Sequence, residues 1–233
     1  MKIANATVLV TGANRGIGLA FAREALARGA KRVYAAARDP STVKLAGVVP
    51  IQLDVTDAGQ VARAARDCGD VEIVINNAGV AEPGGFLQDA SLEATRRQFE
   101  VNFFGMQRMA LAFAPVLAAQ GGGAMLNVLS IASWINRPLL GTYGATKSAA
   151  WALTNGLRHE LRAQGTQVTA LHMGFVDTDL TKGIDMPKAS ADEIVRIALD
   201  GLEAGQDEVL GDDGTRGVKL SLSTPAPAYL AAI

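Results

Sequence analysis

Tyr143 and Lys147 stand four residues apart in Tyr143-Gly144-Ala145-Thr146-Lys147. On a helix that spacing places a phenol and an ammonium on one face. A free phenol titrates near ~10, too high for a base at neutral pH, and a nearby positive charge favours the phenolate. Such a pair can pass a proton to or from an oxygen. Taken alone, Tyr-x-x-x-Lys is also an ordinary helix surface, so its neighbours matter. Ser130 precedes Tyr143 by thirteen residues and ends the apolar run that starts at Ala124. A hydroxyl at a strand end can donate to a carbonyl oxygen while Tyr143 delivers the proton. Asn102 falls inside a long helical stretch, where asparagine is a poor helix former. A local rule broken there hints at a functional role.

A second group of residues suits a phosphate. Thr11-Gly12-Ala13-Asn14-Arg15-Gly16-Ile17-Gly18-Leu19 lies between a strand-like run and a helical one. Gly12 can take backbone angles closed to other residues. Gly16 and Gly18 lack side chains where a phosphate and the helix must come close. The helix that follows aims free N–H groups at an anion. The spacing differs from the common G-x-G-x-x-G signature, and glycine-rich turns after strands are frequent. The next strand ends in Ala36-Ala37-Arg38, without the carboxylate that would hold the ribose 2′-hydroxyl of NAD. Arg38, with Arg15 reaching from the glycine loop, can grip a 2′-phosphate instead. This chemistry favours NADP(H) over NAD(H), although Asp39 follows at once and solvated arginines would look the same in sequence.

The elements that must position these groups alternate. Strand-like runs at 7–10, 32–36, 48–53, 71–75, 124–128, 166–172 and 208–210 are separated by helical patterns at 16–28, 58–66, 92–119, 143–163 and 191–203. Alternating strands and amphipathic helices imply parallel pairing with right-handed crossovers. Nearly all-apolar strands imply helices on both sheet faces. The expected fold is one α/β domain over 1–233, a doubly wound Rossmann-type parallel sheet of about seven strands, with ligands at the strands' carboxyl ends. Residues 221–227 read as a loop before a short apolar end.

Composition narrows the function. The chain has 233 residues, 49% hydrophobic and 19% charged, with a net charge of −1. Nothing there suggests nucleic acid or an anionic membrane as partner. Cys68 is the only cysteine, and His159 and His172 lie far apart, so no metal site is expected. All three are read as structural. Residues 109–136 carry no charge, but Pro115, Gly121-Gly122-Gly123 and Asn127 divide them into a buried helix, a turn and a buried strand rather than a membrane span. The start does not resemble a secretory signal, and a cytoplasmic location is expected.

Together, Thr11-Gly12-x-x-x-Gly16-x-Gly18, Asn76-Asn77-Ala78-Gly79, Asn102, Ser130 and Tyr143-x-x-x-Lys147 resemble the short-chain dehydrogenase/reductase family, in its single-domain, NADP-preferring branch. The likeness covers nearly the whole chain. It implies a hydride transfer between the coenzyme and an aldehyde, ketone or secondary alcohol. Tyr143 would be the general acid in reduction and the base in oxidation. Ser130 would polarise the substrate oxygen. Lys147 would lower the Tyr143 pKa and bind the nicotinamide ribose, and Asn102 would hold a water linking Lys147 to a proton relay. Gly12, Asn14, Arg15, Gly16, Ile17 and Gly18 would surround the phosphates, with Arg38 on the 2′-phosphate. Asp54, followed by Val55, would accept from the adenine amino group. Asn77, Ala78 and Gly79 would line the adenine-ribose side, and Gly174, Val176 and Thr178 would meet the carboxamide end.

The resemblance also implies a homodimer or homotetramer, formed through helices 92–119 and 143–163. Residues 181–189 would be a short substrate lid over an open site. Trp134, Ile135, Leu139, Leu140, Phe175, Ile184 and Met186 are the expected apolar lining, and Ser133 a further substrate contact. One departure stands out: Met173 replaces the proline usual before Gly174, which implies a less rigid turn. The competing readings are an NAD-linked alcohol dehydrogenase and a non-catalytic NADP-binding sensor, the latter expected to lack the tyrosine or lysine. Substrate identity and physiological direction are not written in these residues.

Overall fold

Thr7-Val8-Leu9-Val10-Thr11 is buried along its length and forms strand β1 (Thr7–Thr11). Successive side chains point to opposite sheet faces. Val8 and Val10 join one apolar cluster and Leu9 joins the other. The same division separates Ile73 and Ile75 from Val74, and Leu126 from Met125. In this computed structural model, which describes residues 1–231, six more strands continue the sheet. They are β2 (Arg32–Ala37), β3 (Val49–Gln52), β4 (Ile73–Asn76), β5 (Ala124–Val128), β6 (Gln167–His172) and β7 (Glu208–Leu210).

Helices cover both faces. Phe21 and Ala25 of α1 (Gly16–Ala27) and Leu199 of α6 (Ala191–Glu203) belong to one cluster. Val61 of α2 (Ala58–Asp67), Phe113 of α4 (Met106–Ala119) and Leu157 of α5 (Gly141–Glu160) belong to the other. Each fully buried side chain of this size stabilises the fold by about 1.5–3 kcal/mol relative to exposure. Helix α3 (Ser91–Phe99) leads into α4, and α7 (Asp213–Ser221) follows β7.

All pairings are parallel, in the order β3-β2-β1-β4-β5-β6-β7. The chain reverses its direction of growth between β1 and β4. In such a sheet the carboxyl edge beside that reversal is the expected ligand position. The fold is therefore the doubly wound α/β architecture anticipated from the alternation.

Two features depart from the sequence reading. The long helix over 92–119 is not regular, because Glu100–Gly105 forms a wider π turn between α3 and α4. The stretch Ser91–Ala119 is, by length and composition, apolar enough to cross a membrane; here Met109, Phe113 and Leu117 are buried against the sheet. The second departure is α7. Its start is fixed by Asp212, whose carboxylate accepts from the Thr215 N–H at 2.7 Å; the sequence reading assigned no element here, and the loop expected at 221–227 begins at the helix's last residue.

Candidate active site

The carboxyl edge gathers its polar side chains from four elements. Tyr143 and Lys147 come from the first turns of α5. Ser130 lies two residues beyond β5 and starts a 3₁₀ turn over Ile131–Ser133, its Oγ accepting from the Ala132 N–H at 3.1 Å. Lys147 is only 5% exposed, and its Nζ donates to the Val128 carbonyl at 2.9 Å. The ammonium is thereby anchored to the same strand end that carries Ser130. It sits 5.7 Å from the centre of the Tyr143 ring.

Burial sets the protonation of this group. It pushes the Tyr143 phenol up to about 12, with the hydrogen-bonding Ser130 hydroxyl pulling the other way. It also lowers Lys147 to about 8. The expected role of Lys147 in lowering the Tyr143 pKa, with an oxidised nicotinamide beside it, belongs to the coenzyme-bound site. Desolvation dominates both groups, and Ser130 is the neighbour that favours the phenolate.

Asn102 lies in the π turn and is 1% exposed. Its Oδ1 accepts from the Val80 N–H at 2.9 Å. Its Nδ2 donates to the Val80 carbonyl and to Thr146 Oγ1, both at 2.9 Å. The amide is thus spent on pinning the loop after β4 to α5, and a water-holding role would fall to the backbone. π turns commonly occur at functional sites, and this one aims the Asn102 side chain toward α5. Gly79 belongs with this group: a Cβ there would come 3.2 Å from Asn102 Oδ1 and 3.9 Å from Lys147 Nζ. It therefore sits beside Asn102 and Lys147.

On the coenzyme side, Gly12 and Gly16 have φ of +65° and +54°, angles that disfavour any residue with a Cβ. At Gly18 a Cβ would lie 2.1 Å from the Gly12 carbonyl oxygen, so helix and loop touch backbone to backbone. Asn77 holds the loop from beneath, its Nδ2 donating to the Thr11 carbonyl at 2.8 Å. Thr11 Oγ1 accepts from the Asn77 and Ala78 N–H groups at 2.9 Å. The Ala13 N–H donates to the Ala36 carbonyl, which sets the loop beside the end of β2 where exposed Arg38 begins. Asn14 and Ile17 lie in the same loop and first helical turn. Arg15 is exposed and pairs with Asp179 at 3.3 Å. Asp54 Oδ1 accepts from Thr56. The Val55 side chain is core, packed against Gly105, so only its backbone can meet a ligand.

After β6 the chain turns through Met173, which is buried, and Gly174, whose N–H donates to Asp212 at 2.7 Å. The Met173 carbonyl accepts from Ile131. The turn is held from two sides without a proline. Val176 also buries its side chain, and its carbonyl accepts from Thr181 Oγ1. Thr178 faces Gly16, whose Cβ would lie 3.4 Å from the threonine methyl. The segment expected as a lid has tied stems: Asp177 N–H donates to the Ala189 carbonyl and Ala189 N–H to the Phe175 carbonyl. Leu139 and Met186 are exposed, while Ile135, Leu140, Phe175 and Ile184 are half-buried. Trp134 stacks on His172 at 4.0 Å between ring centres, with its indole nitrogen buried. Ser133 Oγ is likewise buried, so neither polar group is open to a substrate. Cys68 caps α2 and is 1% exposed, with its thiol pushed up to about 11 by burial.

A glycine cradle at the switch point, with Ser130, Tyr143 and Lys147 beside it, defines a dinucleotide-binding α/β protein of the dehydrogenase type. The short chain dehydrogenase family matches residues 6–189, and the chain belongs to that family. It is 35% identical over 187 residues to an uncharacterized oxidoreductase of Schizosaccharomyces pombe, covering 77% of this chain and 63% of that one. The chain thus spans somewhat less than two thirds of that relative. It is 31% identical over 227 residues to the 1-deoxy-11-beta-hydroxypentalenate dehydrogenase of Streptomyces exfoliatus, covering 91% of this chain and 82% of the other. A short chain dehydrogenase from Burkholderia cenocepacia, crystallised in complex with NADP, superposes with a TM-score of 0.93 at 36% identity over 97% of this chain and 95% of that one.

Proposed function

We propose that this protein is an NADPH-dependent reductase of an aldehyde or ketone, able to run in reverse as a secondary-alcohol dehydrogenase. The observation that carries the reading is the meeting of Ser130, Tyr143 and Lys147 at the sheet's carboxyl edge, next to the glycine cradle. The site suits a dinucleotide: a Cβ at Gly18 would fill space that the backbone needs, and the start of α1 carries no side-chain cap, leaving its first N–H groups for an anion. Gly12, Gly16 and Ile17 would hold the phosphates, Arg15 and Arg38 the 2′-phosphate, and Gly174 with Thr178 the carboxamide end. The bound coenzyme supplies or accepts the hydride.

The rest is done by this chain. Ser130 Oγ accepts from the Ala132 N–H, and its own proton, shared with the Tyr143 oxygen, would donate to the substrate oxygen once a carbonyl is bound. Tyr143, held protonated by burial with a pKa of about 12, is poised to give its proton to the forming alkoxide. Lys147, fixed on the Val128 carbonyl, keeps donors to spare for the ribose hydroxyls. The NADP of the Burkholderia cenocepacia neighbour supports the choice of coenzyme, as do the two arginines. A cytoplasmic, homo-oligomeric enzyme acting on small molecules completes the reading.

Screening NADPH oxidation against a panel of ketones and aldehydes identifies a substrate. With it, Tyr143→Phe should lower kcat by about a thousand-fold. An unchanged rate for every accepted carbonyl would refute the mechanism.

A further inference from the structure

His172, the last residue of β6, is fully buried and takes no direct part in the chemistry above. Its Nδ1 lies 3.0 Å from the Ser130 carbonyl oxygen. A carbonyl can only accept, so Nδ1 carries the hydrogen and Nε2 is bare in the neutral ring. The Ser130 carbonyl also accepts from the Ser133 N–H at 3.0 Å; His172 takes its second lone pair. The backbone on either side of Ser130 is tied to β6 by Leu129 N–H on the Leu171 carbonyl and Ile131 N–H on the Met173 carbonyl. With the carbonyl held by His172 and Oγ held by the Ala132 N–H, the main freedom left to the serine is rotation of its hydroxyl proton.

The imidazole is held by its Nδ1 bond and by one stacked ring, while its Nε2 has no hydrogen-bond partner. The Trp134 ring stacks on it with 22° between the planes. Glu208 Oε1 of β7 lies 3.6 Å from Nε2. Lys219 of α7 bonds Glu208 Oε2 at 2.7 Å and places its ammonium 4.7 Å from the Trp134 ring centre. The segment after β6 thus braces, through one histidine, a loop more than forty residues earlier in the chain.

We propose that His172 is a positioning residue for the reaction, fixing the Ser130 hydroxyl through its Nδ1–H bond to the Ser130 carbonyl. The inference rests on the reading of Ser130 as the group that polarises the substrate oxygen. Displacement of a reacting group by an ångström can cost up to about a hundred-fold in rate, and loss of one of several restraints costs less.

The test compares His172→Leu, which removes the donor, with His172→Asn, whose amide nitrogen overlays Nδ1. Each is made in the native and the Ser130→Ala backgrounds and assayed with NADPH and an accepted ketone. H172L should lower kcat about ten-fold with the KM for NADPH unchanged, and H172N should recover to within about three-fold of the native rate. In the S130A background, H172L should cause no further loss, because its effect passes through the serine. Should H172L fail to fold, His172→Gln replaces it, since its amide reaches the Nε2 side instead. A native kcat in the donor-lacking variant, a loss of equal size with and without Ser130, or an H172N as slow as H172L each overturns the proposal. A native rate in S130A alone would instead overturn the reading of Ser130.

Discussion

The coenzyme end and the catalytic end of the site are built on different physical terms. At the catalytic end, Asn102, Ser130, Thr146 and Lys147 are buried and joined across elements by hydrogen bonds. At the 2′-phosphate end, Arg15 and Arg38 are exposed, and Arg15 has one partner, the exposed Asp179. An exposed ion pair contributes little, on the order of 0–1 kcal/mol. Between the two lies the glycine cradle, where backbone meets backbone. The comparison teaches that the reaction is tied to the fold's stability, whereas the choice of coenzyme rests on side chains the fold hardly notices.

The cradle gives the harshest way to break that division. Gly18→Ala puts a methyl group 2.1 Å from the Gly12 carbonyl. NADPH affinity should fall by more than about a hundred-fold, with a lower melting temperature, because backbone cannot retreat as a side chain can. Fluorescence titration with NADPH and thermal unfolding measure both. Retained binding would mean the loop has another arrangement.

A milder change sharpens the comparison. Arg38→Ala and Arg15→Ala should each raise the KM for NADPH by about ten-fold, the worth of a charge-assisted bond. The KM for NADH and the melting temperature should stay close to native. Equal losses with both coenzymes would place these arginines elsewhere than on a 2′-phosphate.

A pH dependence of stability tests the buried end of the comparison. Burial lowers His172 from 6.5 to about 4, so between those values the unfolded chain binds more protons than the folded one. Stability gained above pH 6.5 is lost as pH falls through that window, by at most about 3 kcal/mol from this group. Denaturant unfolding of the native protein and H172N at pH 7.5 and 5 should show a shallower decline in the variant. Parallel declines would assign the acid sensitivity to other groups.

How far the sequence could be read follows the same division. The sheet was legible because its strands are short apolar runs bounded by turn residues, and β5, β7 and α6 fall where periodicity put them. Tyr143, Lys147, Ser130 and the glycines were legible because their types are rare at those spacings. The work done by Asn102 and Gly79 was not, because a hydrogen bond from position 102 to position 80 leaves no local trace. Met173 invited the inference of a loose turn, since the compensating Asp212 lies almost forty residues on. Helix α7 could have been found from Asp212, a residue type favoured at helix N-caps, directly before the acidic Asp213 in the first turn. Its short apolar content concealed it.

The wide turn at Glu100–Gly105 carries a consequence for how this chain can vary in length. Deleting a single residue there would let α3 and α4 merge into one ordinary helix. Each residue advances an α-helix by about 100°, so the two halves would no longer present Asn102 and Phe113 inward together. Insertions and deletions should therefore be tolerated in the surface loops of this molecule long before they are tolerated in that one turn.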